Sequence, residues 1–336
     1  MKKLDITLQQ FLDKDFHLYE DNPVIRCFGV SPVIADPSVL TPENTHDGKW
    51  HLFCHGLLGV FLFTSDDGIR WTRTSHVLPR AMRPDCVYVD GTYYLYYEQT
   101  QSLFKKAISL VGGKWFSEIY LTTSKDLISW TTPTPIIKGN MPYMTSRLGT
   151  SVSNPHLIKV GDKYRLYFSA GLTYITDCSF SEPTHISYAE SDRLDGGFVP
   201  ATTPIISPDK NNEYLNLCAG CIKVYELNDC YIGLQNGIYK KGGKSHSTIM
   251  LLVSDDGINF THKKMFLAPT VTKGKNKNWM KQYVYACNLV KCEDNLRLYF
   301  NARNCADNVR GKEHIGIYLT DNFDWQNHLN QTHNQK

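Results

Sequence analysis

The chain lacks any long apolar run. No stretch of its 336 residues approaches 18 consecutive hydrophobic positions, so no helix is expected to cross a membrane. The opening MKKLDITLQQFLDKDF starts with two lysines after Met1 but has no continuous apolar segment. It therefore does not read as a secretory leader, and a cytoplasmic location is expected. Charge of one sign is lacking too. The 36 basic and 33 acidic residues leave a net +3, and Lys240-Lys241 and Lys273-Gly-Lys-Asn-Lys277 read as solvated loops, so nucleic acid is not an expected partner. There is no Gly-rich phosphate loop, no Gly-x-Ser-x-Gly elbow and no His-Glu-x-x-His pair. Nucleotide-dependent and serine-hydrolase chemistry lose their usual signals. Ten cysteines are scattered without a disulfide-type pattern and read as reduced thiols.

What is present is a repeat. Arg83 to Gln99, RPDCVYVDGTYYLYYEQ, reads as a hairpin turning at Val89-Asp90-Gly91-Thr92, because glycine tolerates the positive φ that a tight turn needs. Related units lead from Asp36-Pro into Asp47–His55, from Asn154-Pro-His into Gly161–Ser169, from Ala219-Gly-Cys into Asn228–Asn236 and from Ala286-Cys-Asn into Asp294–Asn301. A turn signature follows each hairpin: Ser65-Asp-Asp-Gly-Ile-Arg-Trp71, Ser124–Trp130, Ser191–Phe198, Ser254–Phe260 and Asp321–Trp325. The closing aromatics Trp71, Trp130, Phe198, Phe260 and Trp325 stand 59, 68, 62 and 65 residues apart. A period near 65 is too long for most solenoids and has no place in a sandwich. The expected fold is all-β, a five-bladed β-propeller with about four antiparallel strands per blade. It should occupy residues 22–326, after an N-terminal extension over 1–21 with a short amphipathic helix (Leu4, Leu8, Leu12), and before a polar tail over 327–336. Longer inserts at Gln101–Gly113, Gly139–Thr150, Thr173–Pro183 and Thr270–Lys281 read as loops around a site.

In a propeller, the start of each innermost strand and the end of the second strand share one face. The strand starts supply Asp36, Arg83 with Asp85, Ser153 with Asn154, Ala219 and Asn288. The second-strand ends supply His55, Glu98, Ser169, Asn236 and Asn301. Almost all of these positions are polar where their flanks are apolar, which points to a polar pocket at the channel mouth. Asparagine amides both donate and accept, which suits hydroxyl recognition. His156 could join the wall, and Arg83 or Arg147 could grip an anionic group. Tyr97, Tyr143, Tyr174 and Tyr285 are candidate sugar platforms. Cys218-Ala-Gly-Cys221 has no second ligand pair at zinc spacing, and its small residues suit a crowded inner strand.

On Ala-Asp36-Pro, on Arg-Pro-Asp85 with its Asp-Gly-x-Tyr-Tyr-Leu strand, and on the Ser-Asp-Asp-Gly-Ile-x-Trp turns, the chain resembles the five-bladed propeller glycosidases. Glycoside hydrolase family 43 and its relatives are the nearest pattern, over roughly Asn22 to Trp325. The resemblance implies Asp36 as general base and Asp85 as the residue that tunes and orients the acid. It admits a structural divalent ion in the channel, with no ligand set named, and no other cofactor. The family's acid glutamate, in Glu-Gly-Pro at the head of the third blade, is replaced here by Ser153-Asn154-Pro155. Glu98 is the best geometric substitute, ahead of Glu118, Glu182 and Glu190. The expected function is an inverting glycosidase of arabinosidase, xylosidase or fructosidase type, acting on a sugar or glycoconjugate. A biosynthetic enzyme with a modified site and a non-catalytic glycan-binding propeller stand as alternatives.

Overall fold

The computed structural model describes residues 3–101, 114–273, 276–307 and 310–323. Most of the insert at Gln101–Gly113, the aromatic Trp325 and the polar tail lie outside them. The described chain folds as five small antiparallel sheets arranged in a ring, a five-bladed β-propeller. Blade 1 runs Ala35–Leu40, Trp50–Gly56, Gly59–Ser65 and Thr72–Pro79. Blade 2 begins with Ala81–Val89, Thr92–Thr100 and Trp115–Ser124, with Thr134–Ile137 outside them. Blade 3 is Val152–Val160, Lys163–Ile175, Phe180–Ser191 and Val199–Pro200. Blade 4 is Ile222–Glu226, Tyr231–Lys241, Lys244–Ser254 and Thr261–Leu267.

Blade 5 takes Tyr283–Lys291, Leu296–Arg303 and Glu313–Thr320 from the end of the described chain and its fourth strand, Phe16–Leu18, from the beginning. The ring is thus closed by a segment that the sequence placed in an extension. The N-terminal helix is only Leu8–Leu12, begun by a Thr7/Gln10 capping box. Leu4 lies outside it, because Lys3 bridges to Glu226 instead. Leu4 and Phe11 are buried in the core between blades 4 and 5.

The repeated turns are structural. In Ser65–Trp71 the Asp67 carboxylate accepts from the backbone N–H of Ile69 and Arg70, at 2.9 and 2.8 Å. Burial alone would raise its pKa, but these hydrogen bonds hold it well below the usual carboxylate range. A tyrosine of the preceding blade grips three of these turns. Tyr299 donates to the Gly68 carbonyl at 2.6 Å, Tyr167 to that of Gly257 at 2.7 Å, and Tyr96 to that of Leu194.

What positions a site is the bulge near the head of the inner strands. Pro37, Pro84 and Pro155 have no N–H for the ladder, and proline inside a sheet is confined to edges and bulges. Pairing breaks there, between Ala35 and Ser38, Met82 and Asp85, and Ser153 and His156. The residue before each proline takes a left-handed conformation: Asp36 at φ 54°, Arg83 at 50° and Asn154 at 50°. In blade 4 the equivalent is Gly220 at φ 65°, one residue beyond the expected Ala219. A Cβ there would stand 2.1 Å from the Asn236 carbonyl oxygen. These turned-out residues ring one mouth of the channel.

Candidate active site

A cavity of about 540 Å³ opens at that mouth, with walls from all five blades. Blade 1 supplies Asp36 and His55, blade 2 supplies Arg83, and blade 4 supplies Cys221 and Asn236. Blade 3 contributes Asn154 and a long arm made by its second and third strands, which brings Tyr174, Phe180 and Glu182 to the wall. Blade 5 adds Tyr285, Asn301, Arg303 and Glu313. The volume lies in the range of small-molecule sites.

The electrostatics centre on three carboxyl groups. Burial pushes the Asp36 carboxyl up, against the pull of Arg83 and Lys223, and Glu98 adds to the rise. Burial raises Glu182 to about 8, with Arg83 opposing. Glu313 is likewise pushed up to about 7 by burial, with Arg303 opposing. Arg83 is held more firmly charged than an ordinary arginine: burial works against its charge, but Glu98, Asp36 and Glu182 outweigh it. The hydrogen bonds separate the two glutamates. Glu313 accepts from Asn301 and lies 3.6 Å from Arg303 Nη1. The Glu182 side chain makes no hydrogen bond or ion pair among the described residues and faces the cavity.

The sequence-expected residues divide into three groups. Asp36, His55, Arg83, Asn154, Asn236 and Asn301 line the cavity, as do the platform candidates Tyr174 and Tyr285. A second group lies outside the wall. Glu98 is fully buried and engaged by Arg83. Asp85 is fully buried too, accepting from the Leu157 N–H at 2.9 Å, with His156 Nδ1 at 3.3 Å and Lys223 Nζ at 3.6 Å. His156 turns its other ring nitrogen to the Val224 carbonyl at 2.8 Å. Ser153 is buried beside Asn154. The third group is elsewhere. Arg147 is exposed in a turn, and Glu190 is paired with Arg165 at 2.7 Å on the outer part of blade 3. Tyr97 is a core residue, and the Tyr143 hydroxyl is bound to Ser187 and Ala201. Asn288 sits in mid-strand, because the blade 5 bulge falls between Val284 and Cys287. Its amide accepts from the Val39 N–H at 2.8 Å and lines a separate cavity towards the other end of the inner strands.

Several of the polar strand ends serve a neighbouring blade. His55 Nδ1 accepts from the Arg83 N–H at 3.3 Å and also lies 3.3 Å from the Asp36 carboxylate. Asn301 Oδ1 accepts from the Asp36 N–H at 3.1 Å, and Asn236 donates to the Val284 carbonyl at 2.9 Å. A bulge frees backbone groups, and buried ones must find partners. All ten cysteines are free, and burial raises the pocket-lining Cys221 thiol to about 12, so Cys218 and Cys221 pack rather than react. Among the described residues no group of three or more His, Cys, Asp or Glu side chains is placed to hold a metal ion. No described helix is long and apolar enough to cross a membrane.

Comparison with known proteins decides only the architecture. No family model and no curated protein matches the chain. Solved structures do match, along nearly their whole length. An N-acetylgalactosamine deacetylase from F. plautii, solved with blood group B trisaccharide, has a TM-score of 0.64 at 14% identity, with 92% of this chain and 95% of that one covered. A glycosyl hydrolase from Bacteroides ovatus gives 0.63 at 16%, over 97% and 98%. A structure described under the GH130 family of mannoside phosphorylases, as containing glycoside hydrolases that target β-1,2 mannosidic linkages in Candida mannan, gives 0.61 at 16%, over 96% and 97%. The likeness is to the fold. At these identities it carries no chemistry across, and membership of family 43 does not follow from it.

Proposed function

We propose that the protein is a carbohydrate-active propeller enzyme, an inverting glycoside hydrolase with Asp36 as general base and Glu182 as general acid. The observation that carries this reading is the state of Glu182: a cavity-facing carboxyl, raised to about 8 and free of other partners among the described residues. Inverting hydrolysis needs one carboxyl that keeps its proton near neutral pH and one carboxylate that activates water. Glu313 has a similar proton affinity, but Asn301 and Arg303 already occupy it. Glu98 lies under Arg83 and off the wall, which suits a partner for the guanidinium better than a proton donor.

In this mechanism Asp36 takes a proton from water as the water attacks the anomeric carbon. Glu182 gives its proton to the departing glycosidic oxygen, and the product is a sugar of inverted configuration. Asp85 is a positioning residue: it holds Lys223, whose charge favours the ionised form of Asp36. Asn154 and His55 are placed to read hydroxyls, with Tyr174 and Phe180 as an aromatic wall. The sugar-acting proteins among the fold's relatives support a sugar as the substrate class.

Arg83 favours a second reading, phosphorolysis. Its guanidinium spends one nitrogen on Glu98 and is partly exposed to the cavity, so it could hold an oxyanion as the nucleophile. The test is turnover of a panel of aryl furanosides and pyranosides by wild type and Asp36→Asn, with and without inorganic phosphate. Hydrolysis of one sugar that Asp36→Asn abolishes is the expected result. Turnover that requires phosphate would replace hydrolysis by phosphorolysis, and no turnover on any aryl glycoside would overturn both.

A further inference from the structure

We infer that Glu313 is a positioning residue for Asp36: it fixes the amide of Asn301, and Asn301 holds the Asp36 backbone in the turned-out conformation that presents its carboxylate to the cavity. The functional consequence rests on the reading of Asp36 as base.

Asp36 is a non-glycine residue at φ 54°. Such a conformation costs roughly 1 kcal/mol or more and persists only where the surroundings impose it. The imposing group is Asn301, almost fully buried, whose Oδ1 accepts from the Asp36 N–H at 3.1 Å. An asparagine amide has one accepting and one donating end, and a flip would set its NH₂ against the Asp36 N–H. The other end decides the orientation. Asn301 Nδ2 donates to Glu313 Oε1, which can accept there both as a carboxylate oxygen and as the carbonyl oxygen of a carboxyl protonated on Oε2. Arg303 Nη1, 3.6 Å from Glu313 Oε2, holds the carboxyl from its far side. The backbone of Glu313 straps the segment ahead of Asp36 as well. Its N–H donates to the Pro32 carbonyl at 2.8 Å, and its carbonyl accepts from the Ile34 N–H at 3.2 Å. The head of blade 5's third strand thus governs the catalytic loop of blade 1 without its carboxyl having to touch the substrate.

The test compares Glu313→Ala, Glu313→Gln, Asn301→Ala and the Glu313→Ala/Asn301→Ala double variant, each checked for a cooperative melt. The substrate is the best aryl glycoside of the panel. Misplacement of a reacting group by about 1 Å can cost up to roughly 100-fold, so Glu313→Ala should lower kcat at least about tenfold with KM within about threefold. A glutamine side chain can still accept from Asn301 through its amide oxygen, so Glu313→Gln should stay within about threefold of wild type. The double variant should lose no more than the worse single one, since both act through one contact. Amide exchange at Asp36 should quicken in Glu313→Ala and remain protected in Glu313→Gln. A loss confined to KM, multiplying losses in the double variant, or unchanged exchange at Asp36 in Glu313→Ala would overturn the inference. If Asp36→Asn keeps full turnover while the exchange pattern holds, the base assignment fails and the positioning stands.

Discussion

At the scale of single residues, burial raises Asp36, Glu182 and Glu313 alike, and their partners set them apart. In the proposed mechanism Glu182, raised to about 8 by burial, holds the proton, and Asp36 acts once it has lost its own. The rate should therefore rise with pH as Asp36 ionises and fall as pH passes about 8. In kcat/KM profiles Glu182→Gln should lose that alkaline limb, because glutamine does not titrate. A limb that persists would belong to another group. Asp36 and its ring of polar neighbours were legible in the sequence because the repeat aligns the inner-strand starts with the second-strand ends, which share one mouth. Glu182 was harder to see: it sits on an arm that extends beyond the repeat, so alignment of the blades gave it no equivalent. Arg303 and Glu313 flank the insert that enters blade 5's third strand, where the repeat again supplies no register. The roles of His55, Asn236 and Asn301 towards neighbouring blades could not be read, because each answers a bulge in another part of the chain.

At the scale of elements, the turns of blades 1, 3 and 4 are each held by a tyrosine of the blade before. Tyr299 is buried and donates to the Gly68 carbonyl. Tyr299→Phe should cost about 1–2 kcal/mol, the worth of a buried hydrogen bond with its acceptor left bare, measured by denaturant melts. No change would mean that water satisfies that carbonyl. Gly220 answers a different demand. A methyl group there meets the Asn236 carbonyl oxygen at 2.1 Å from a backbone at φ 65°. Gly220→Ala should destabilise the fold by about 1–3 kcal/mol through overpacking. It should also weaken sugar binding, because Gly220 and Asn236 both line the cavity. Five blades could be counted from the turns and aromatics alone. The bulges were only half legible: Asp-Pro, Arg-Pro and Asn-Pro mark three of them. Blades 4 and 5 have no such proline, so the sequence points to Ala219 and Asn288 where the bulges fall at Gly220 and, between Val284 and Cys287, at Tyr285.

For the whole molecule, ring closure and pH dependence are the consequences. Phe16–Leu18 completes blade 5, and Phe11 packs against Phe16 and Phe266. Phe11→Ala should cost about 3–5 kcal/mol, as for a large core deletion, and lower the melting temperature of the whole domain. A low-temperature fraying step ahead of an unchanged main transition would show that the closure is dispensable. The stability of the unliganded protein should fall as pH rises from about 6.5 to about 8. Glu182 and Glu313 bind protons more tightly folded than unfolded, so deprotonation through this window favours the unfolded chain. Below about 6.5 the lowered His314, at about 4, pulls the other way. Glu182→Gln should flatten the fall between 6.5 and 8, and an unaltered slope would contradict the raised proton affinity of Glu182.

The central claim is that Glu182 donates the proton to the leaving group, and leaving-group dependence tests it most directly. The measurement is kcat for Glu182→Gln and wild type on the same sugar, once with an acidic phenol and once with an alcohol as leaving group. Proton donation contributes typically about 10²–10⁴-fold. The variant should lose a factor of that order on the alkyl glycoside and stay within about tenfold of wild type on the aryl one. Equal losses on both substrates would mean that Glu182 shapes the pocket but is not the acid.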